Sequence, residues 1–265
     1  MAKDTLHESP MSLSAAAGQR PGGRRTARRG ALLAAAALCL SGAAVGCGLI
    51  SADIFDIPIR LQTQTYTLNL GNNMGKVPTA PCTAQADNCS AAAQGITLGP
   101  GSTVTGVCDT TAKSCTAQVN AVLTYPVTLA DDQSFATSVG GKVVNAVRSI
   151  ELAYGVTTNT TTVNLPESDL YIGPQNAQKP TDQGVVFIDK IPAIARGTTI
   201  PEGSRKIVIA DGTEARTKFV YYVQNPKVPF VLMLVTKPVV RAMEDLPAGK
   251  LELKLTPTVV VGLPR

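Results

Sequence analysis

From residue 57 onward, apolar and polar residues alternate in short runs separated by turn residues. The stretch IPIRLQTQTYTLNL, residues 57–70, places Ile57, Ile59 and Leu61 on one face and then Tyr66, Leu68 and Leu70, with a break near Thr63. A period of two marks a strand with one face buried. Residues 71–103 lose the alternation and are rich in Gly, Pro, Asn, Ala and Ser, which predicts a long irregular excursion. The most regular alternation follows from Ala117 to Leu129, through Val119, Ala121, Leu123, Tyr125 and Val127.

The period changes after Asp131-Asp132. Val139, Val143, Val147 and Ile150 recur at helical spacing and predict a helix, with Asp132 or Ser134 as its N-cap. Gly140-Gly141 weakens that helix by roughly 1 kcal/mol per glycine. Alternation resumes at Ile150, Leu152, Tyr154 and Val156, crosses the threonine-rich TTNTTTVNL, and continues at Leu170 and Ile172. GVVFIDKI and SRKIVIAD read as further strands. A second helical patch runs from Thr213 to about residue 224, with Ala215, Phe219, Tyr222 and Val223 on one side. PFVLMLVTKPVV and KLELKLTPTVVVGL close the chain as strands joined through MEDLPAGK, where Pro247 and Gly249 supply the turn. About eight or nine strands with two short helices predict a mainly β protein, an antiparallel sandwich or open barrel. The stretch IELAYGVTTNTTTVNLPESDLYIG resembles the immunoglobulin-like sandwich of late-embryogenesis type 2 (water-stress) proteins, which implies the same sandwich architecture. The Asn-Pro signature of that family is not at the matching place, since Asn225-Pro226 lies far downstream.

The first 46 residues follow another logic. Five arginines between Arg20 and Arg29 precede ALLAAAALCLSGAAVG, a run of 16 apolar or small residues that ends at Cys47. A bilayer core needs about 20 apolar residues, so the run is short for a span, and small residues gather at its far end. A basic region, a short apolar region and small residues before a cleavage point describe an export signal. Ala44-Val45-Gly46-Cys47 resembles the lipobox of bacterial lipoproteins. That resemblance implies cleavage before Cys47 and lipidation of Cys47, with Gly46 as the small residue before the cysteine. Ala44 stands where leucine is usual. Arg28-Arg29-Gly30-Ala31-Leu32 also resembles the twin-arginine export signature. The expected organisation is a signal with an N-terminal extension over 1–46, a lipid-anchored tether over 47–56 and one β-rich domain over 57–265, with an excursion at about 71–116.

Setting the leader aside changes the electrostatics. Of the 24 basic and 19 acidic residues, six and two precede Cys47, so the remainder holds 18 and 17, a formal net of +1. No basic run remains there, which argues against a nucleic-acid partner. The single histidine, His7, lies in the leader, so Ser-His-Asp and Cys-His catalysis are not expected of the exported domain. Histidine-containing zinc sites are excluded for the same reason.

Of six cysteines, Cys39 and Cys47 belong to the leader and the anchor. Cys82, Cys89, Cys108 and Cys115 remain, and an even number in an exported chain predicts two disulfides rather than a metal site. Nested pairing would suit one hairpin. Local pairing, Cys82 with Cys89 and Cys108 with Cys115, closes the polar loops CTAQADNC and CDTTAKSC and is the expected arrangement, with the second loop a hairpin tip.

Asp131-Asp132, Glu167 with Asp169, and Glu244-Asp245 are the carboxylate pairs that acid–base chemistry or Ca²⁺ would draw on. Each falls at a predicted turn or cap, where acidic residues serve the backbone. Ser204 and Lys206 lie two apart in a predicted strand and share a face. No calcium loop, phosphate loop or nucleophile elbow is present. The expectation is therefore a non-enzymatic lipoprotein without a cofactor, on the periplasmic face of the outer membrane, that holds an envelope protein partner. The alternative is a carrier of an apolar ligand in a cavity lined by residues such as Phe219, Tyr222, Phe230 and Leu232.

Overall fold

The computed structural model of the chain describes residues 54–83 and 89–264. The leader, Cys47 and the start of the tether lie outside the described residues. In chain order, the strands of the first half are β1 (Ile54–Arg60), β2 (Gln64–Asn69), β3 (Ser102–Asp109), β4 (Ser114–Val127) and β5 (Ala146–Asn159). β6 (Ser168–Pro174), β7 (Val186–Ile191), β8 (Ile200–Val208), β9 (Phe230–Thr236), β10 (Val239–Val240) and β11 (Lys250–Pro264) follow. The helices are α1 (Ser90–Ala93), α2 (Gln133–Val139) and α3 (Glu214–Gln224). The protein is thus mainly β, with two antiparallel sheets and a few short helices.

The first sheet is organised by β11. Its alternation puts Leu251, Leu253, Leu255, Val259, Val261 and Leu263 on one buried face. β5 pairs along one side of it, and β8 pairs with β5. The other side is shared: β2 pairs with 250–255 and β1 with 258–264, so two short strands lie end to end along one long one. Pro257 explains the interruption. The Leu61 amide donates to the Pro257 carbonyl at 2.9 Å, so the side of Pro257 that lacks an N–H faces the β1–β2 junction. The chain leaves the ladder at residues 61–63, and the freed Gln62 amide donates to the Asp132 carboxylate at 2.6 Å. The break predicted near Thr63 is therefore real. The predicted tether is shorter than expected, because residues 54–56 already pair with 262–264.

The second sheet runs β10-β4-β9-β6-β7, with β3 on the other flank of β4. Ala117, Val119, Ala121 and Leu123 of β4 and Phe230, Leu232 and Leu234 of β9 face the first sheet. Burial of the valine, leucine and phenylalanine side chains among these contributes about 1.5–3 kcal/mol each. The Tyr66 hydroxyl crosses the layer to the Leu232 carbonyl at 3.3 Å, and burial pushes its pKa well above the ordinary tyrosine value. β9 is buried on both faces, as its unbroken apolar run requires. Val231, Met233 and Val235 form a second cluster on the outer face with Ala177, and Tyr171 and Val185 pack against it.

The helices correct one expectation and meet another. Asp132 is the N-cap of α2, accepting from the Phe135 amide at 3.0 Å. The helix nevertheless stops at Val139 instead of following the valine stripe to Ile150. Gly140 (φ +57°) and Gly141 (φ +77°) turn the backbone left-handed, and Val147 and Ile150 belong to β5. α3 matches its predicted bounds, with Thr213 as N-cap and Ala215, Phe219, Tyr222 and Val223 buried. Sequence reasoning missed the role of Arg216. Its guanidinium donates to the Val147 and Arg148 carbonyls, each at 2.8 Å, and tethers α3 to the start of β5.

Candidate functional site

Four of the predicted site residues are the cysteines around β3 and β4. β3 and β4 form the expected hairpin with its tip over 109–114, and Cys108 lies directly opposite Cys115. The pairing is not local: Cys82 joins Cys108 and Cys89 joins Cys115, two crossed bonds each spanning 26 residues. The reason lies in the segment before the hairpin. It runs along the other edge of β4, where the Cys115 amide donates to Ala80 at 2.9 Å and the Cys82 amide to Lys113 at 3.2 Å. Cys82 is thereby brought onto the face that Cys108 and Cys115 share, and α1 delivers Cys89 onto β3. Gly106 makes this possible, since a Cβ there would lie 1.6 Å from the Cys89 carbonyl oxygen. The sulfurs of Cys82, Cys89 and Cys115 lie within 4.8 Å of one another, as metal ligands would. Both disulfides consume thiolates that a metal would require.

The carboxylate pairs are engaged with the fold. Asp132 accepts from two backbone amides. Glu167 pairs with Lys190 at 3.1 Å, which raises the lysine pKa, and Asp169 accepts from the Tyr171 hydroxyl at 3.4 Å. Ser204 donates to the Pro201 carbonyl at 2.8 Å, and Lys206 pairs with Glu151 at 2.9 Å. Among the described residues, no hydrogen bond joins Ser204 to Lys206. The residues named for a carrier cavity pack on one another: the rings of Tyr222 and Phe230 stack with centroids 4.6 Å apart, and Phe219 meets Phe230 edge-on at 6.0 Å.

A cleft of about 630 Å³ does open at the end of the domain where β11 begins. Four segments distant in sequence build it: residues 76, 162–164, 196 and 239–245. Lys76 bridges to Asp245, and the Val77 and Met243 neighbourhoods exchange backbone hydrogen bonds at 2.9 Å. The Arg196 amide donates to the Asn164 side chain at 2.9 Å. Val163 and Val240 are buried at the floor, whereas Val239 and Met243 on the rim are 51% and 62% exposed. Met243 also has φ +67°, a left-handed conformation unfavourable for a side chain of this size.

The charges of the cleft are unevenly satisfied. Glu244 accepts from the Arg241 amide at 2.8 Å, and Asp245 lies 3.8 Å from Lys76. That ion pair is exposed and contributes at most about 1 kcal/mol. The guanidinium groups of Arg196 and Arg241 make no side-chain hydrogen bond or ion pair among the described residues. The cleft thus combines two free planar cations with exposed apolar side chains, a composition suited to a ligand carrying carboxylates beside an apolar group. Of the predicted pairs only Glu244-Asp245 lies in it. A smaller hollow of about 340 Å³ includes Asp131 and Asp132.

No family of known proteins matches the chain, and no curated protein does. Among solved structures it is similar to that of Turnip Yellow Mosaic Virus, with a TM-score of 0.26 and 10% identity over 80% of this chain and 95% of the other. It is also similar to that of Mud Crab Dicistrovirus, with a TM-score of 0.23 and 13% identity over 98% of this chain and 90% of the other. Likenesses at these scores carry no argument about this chain.

Proposed function

We propose that the chain is an exported lipoprotein, acylated at Cys47 and held at the periplasmic face of the outer membrane, whose sandwich binds an envelope protein without catalysing a reaction. The observation that carries the binding role is the polar cleft with its two unpaired guanidiniums. Its partner would present carboxylates beside an apolar side chain. The anchoring rests on the leader, where a basic region and an apolar run of 16 residues end at Gly46-Cys47. The packed rings of Phe219, Tyr222 and Phe230 favour this role over that of an apolar-ligand carrier.

A photo-crosslinking residue at Met243, compared with one at exposed Val208, tests the cleft in intact cells. The expected result is a discrete adduct with an envelope protein at Met243, lost in an Arg196→Glu/Arg241→Glu variant. An adduct indifferent to charge reversal, or equal at Val208, refutes the cleft. Fractionation of Cys47→Ser tests the anchor separately, since the variant should remain unprocessed and lose its acyl chain.

A further inference from the structure

Ile54, the first described residue after Cys47, and the cleft lie toward opposite ends of the domain, so an anchor on Cys47 would give the molecule a direction relative to the bilayer. β11 begins at Lys250 beside the cleft segments and ends at Pro264, where it pairs with Ile54 at the start of β1. Fifteen residues of strand at about 3.3 Å each separate the two ends by roughly 45 Å. From Cys47 to Ile54 the chain takes seven residue steps, a reach of at most about 25 Å. An acyl chain on Cys47 therefore draws the Ile54 end toward the membrane.

That end is built for the contact. The turn after α2, set by Gly140 and Gly141, projects Val143, which is 72% exposed. Ile54, which pairs with Pro264 at the same end, is 39% exposed. The turn is fixed to the same end: the Asn145 amide donates to Gly262 at 3.1 Å, and the Lys142 ammonium donates to the Pro264 carbonyl at 3.2 Å. Lys142 also sits 5.1 Å from the centre of the Phe55 ring. Among the described residues, the charges near this end are otherwise paired: Arg148 with Asp56 at 3.1 Å and Arg216 with Asp211 at 2.9 Å; Asp53 and Arg265 adjoin it in sequence. A projecting aliphatic residue beside a cation is the arrangement that inserts at a headgroup boundary carrying anionic lipid.

We propose that this end, through Val143, Ile54 and Lys142, rests in the lipid headgroup layer and presents the cleft away from the membrane. The proposal rests on acylation at Cys47. The chain contains no tryptophan, so a single introduced one reports its own surroundings. The acylated full-length protein is reconstituted in phosphatidylcholine–phosphatidylglycerol vesicles with brominated acyl chains, as Val143→Trp and as Met74→Trp. Met74 is 91% exposed, and its neighbour Gly75 accepts from Leu246 at the cleft end. Ile54→Trp repeats the measurement from the adjoining strand. Val143→Trp and Ile54→Trp should shift to the blue and lose most of their emission to bromine quenching, and Met74→Trp should do neither. With the acyl chain on Cys47 confirmed by mass, equal quenching at both ends overturns the orientation and leaves the anchoring intact. Absence of the acyl chain overturns the anchoring and this inference together.

Discussion

Removing the Cys89–Cys115 bond by Cys89→Ala/Cys115→Ala tests the crossed architecture and its energetics together. Both side chains are fully buried, and alanine leaves no buried hydroxyl behind. With Cys82–Cys108 retained, the shortest path from Cys89 to Cys115 runs back to Cys82, across the remaining bond, and forward from Cys108. That path holds about 15 residues, and closing such a loop in the unfolded chain contributes about 3 kcal/mol on the chain-entropy model. For a domain of this size the loss corresponds to a fall in Tm of roughly 6–12 °C. Thermal unfolding followed by circular dichroism reads the difference, and urea titration gives the free energy directly. Non-reducing peptide mapping of the native protein, run alongside, should link the peptide of Cys82 to that of Cys108. A destabilisation under about 1 kcal/mol would show that the bond constrains nothing the fold does not already hold. A peptide joining Cys82 to Cys89 would refute the crossed pairing outright.

Arg216→Ala should destabilise the domain by about 2–4 kcal/mol, because two charge-assisted hydrogen bonds to the Val147 and Arg148 carbonyls are lost. Arg216→Lys should not restore it, since one ammonium cannot reproduce the fork that meets both carbonyls and Asp211; full rescue in urea unfolding would reduce the role to bare charge. Asp182 accepts from the Gln178 and Lys179 amides, and these bonds lower its carboxyl pKa in the folded state. Its contribution is therefore complete above the ordinary carboxylate pKa and lost as pH falls through the depressed folded value. Pepsin cleavage in the loop over 175–185 should rise across that window and lose the corresponding pH dependence in Asp182→Asn, and an NMR titration placing Asp182 at the ordinary value would contradict the assignment.

Much of the sheet structure was legible because it rests on period two. The faces of β11, β4 and β5, the break near Thr63 and the hairpin tip over 109–114 follow from alternation and turn chemistry within a few residues. The same holds for α3, where Thr213 and the buried stripe point to one helix. The failure at Val139–Ile150 shows the limit of periodicity. Four apolar residues at helical spacing are equally compatible with a one-turn stop and a following strand, and two glycines with positive φ decide between them. Local pairing of the cysteines failed for a different reason. It weighs short loops by sequence distance, whereas the edge of β4 carries residues 80–82 past Cys115 and makes a separation of 26 the near one in space.

The cleft was hidden by the same long-range geometry. Lys76, Arg196 and Arg241 sit in three loops that nothing in the sequence joins, and each alone reads as a solvated surface charge. Glu244 and Asp245 were visible as a pair, but their local setting at a turn pointed to backbone capping, a role Glu244 does fulfil toward the Arg241 amide. Glu244 meets Arg241 through the backbone amide, and among the described residues it makes no ion pair with either guanidinium. With Asp245 turned to Lys76 at 3.8 Å, both acidic residues of the rim have nearer partners than Arg196 and Arg241. On the proposed reading, the acidic pair that the sequence singled out for chemistry would act indirectly, leaving two arginines that no carboxylate engages among the described residues available to one from a partner.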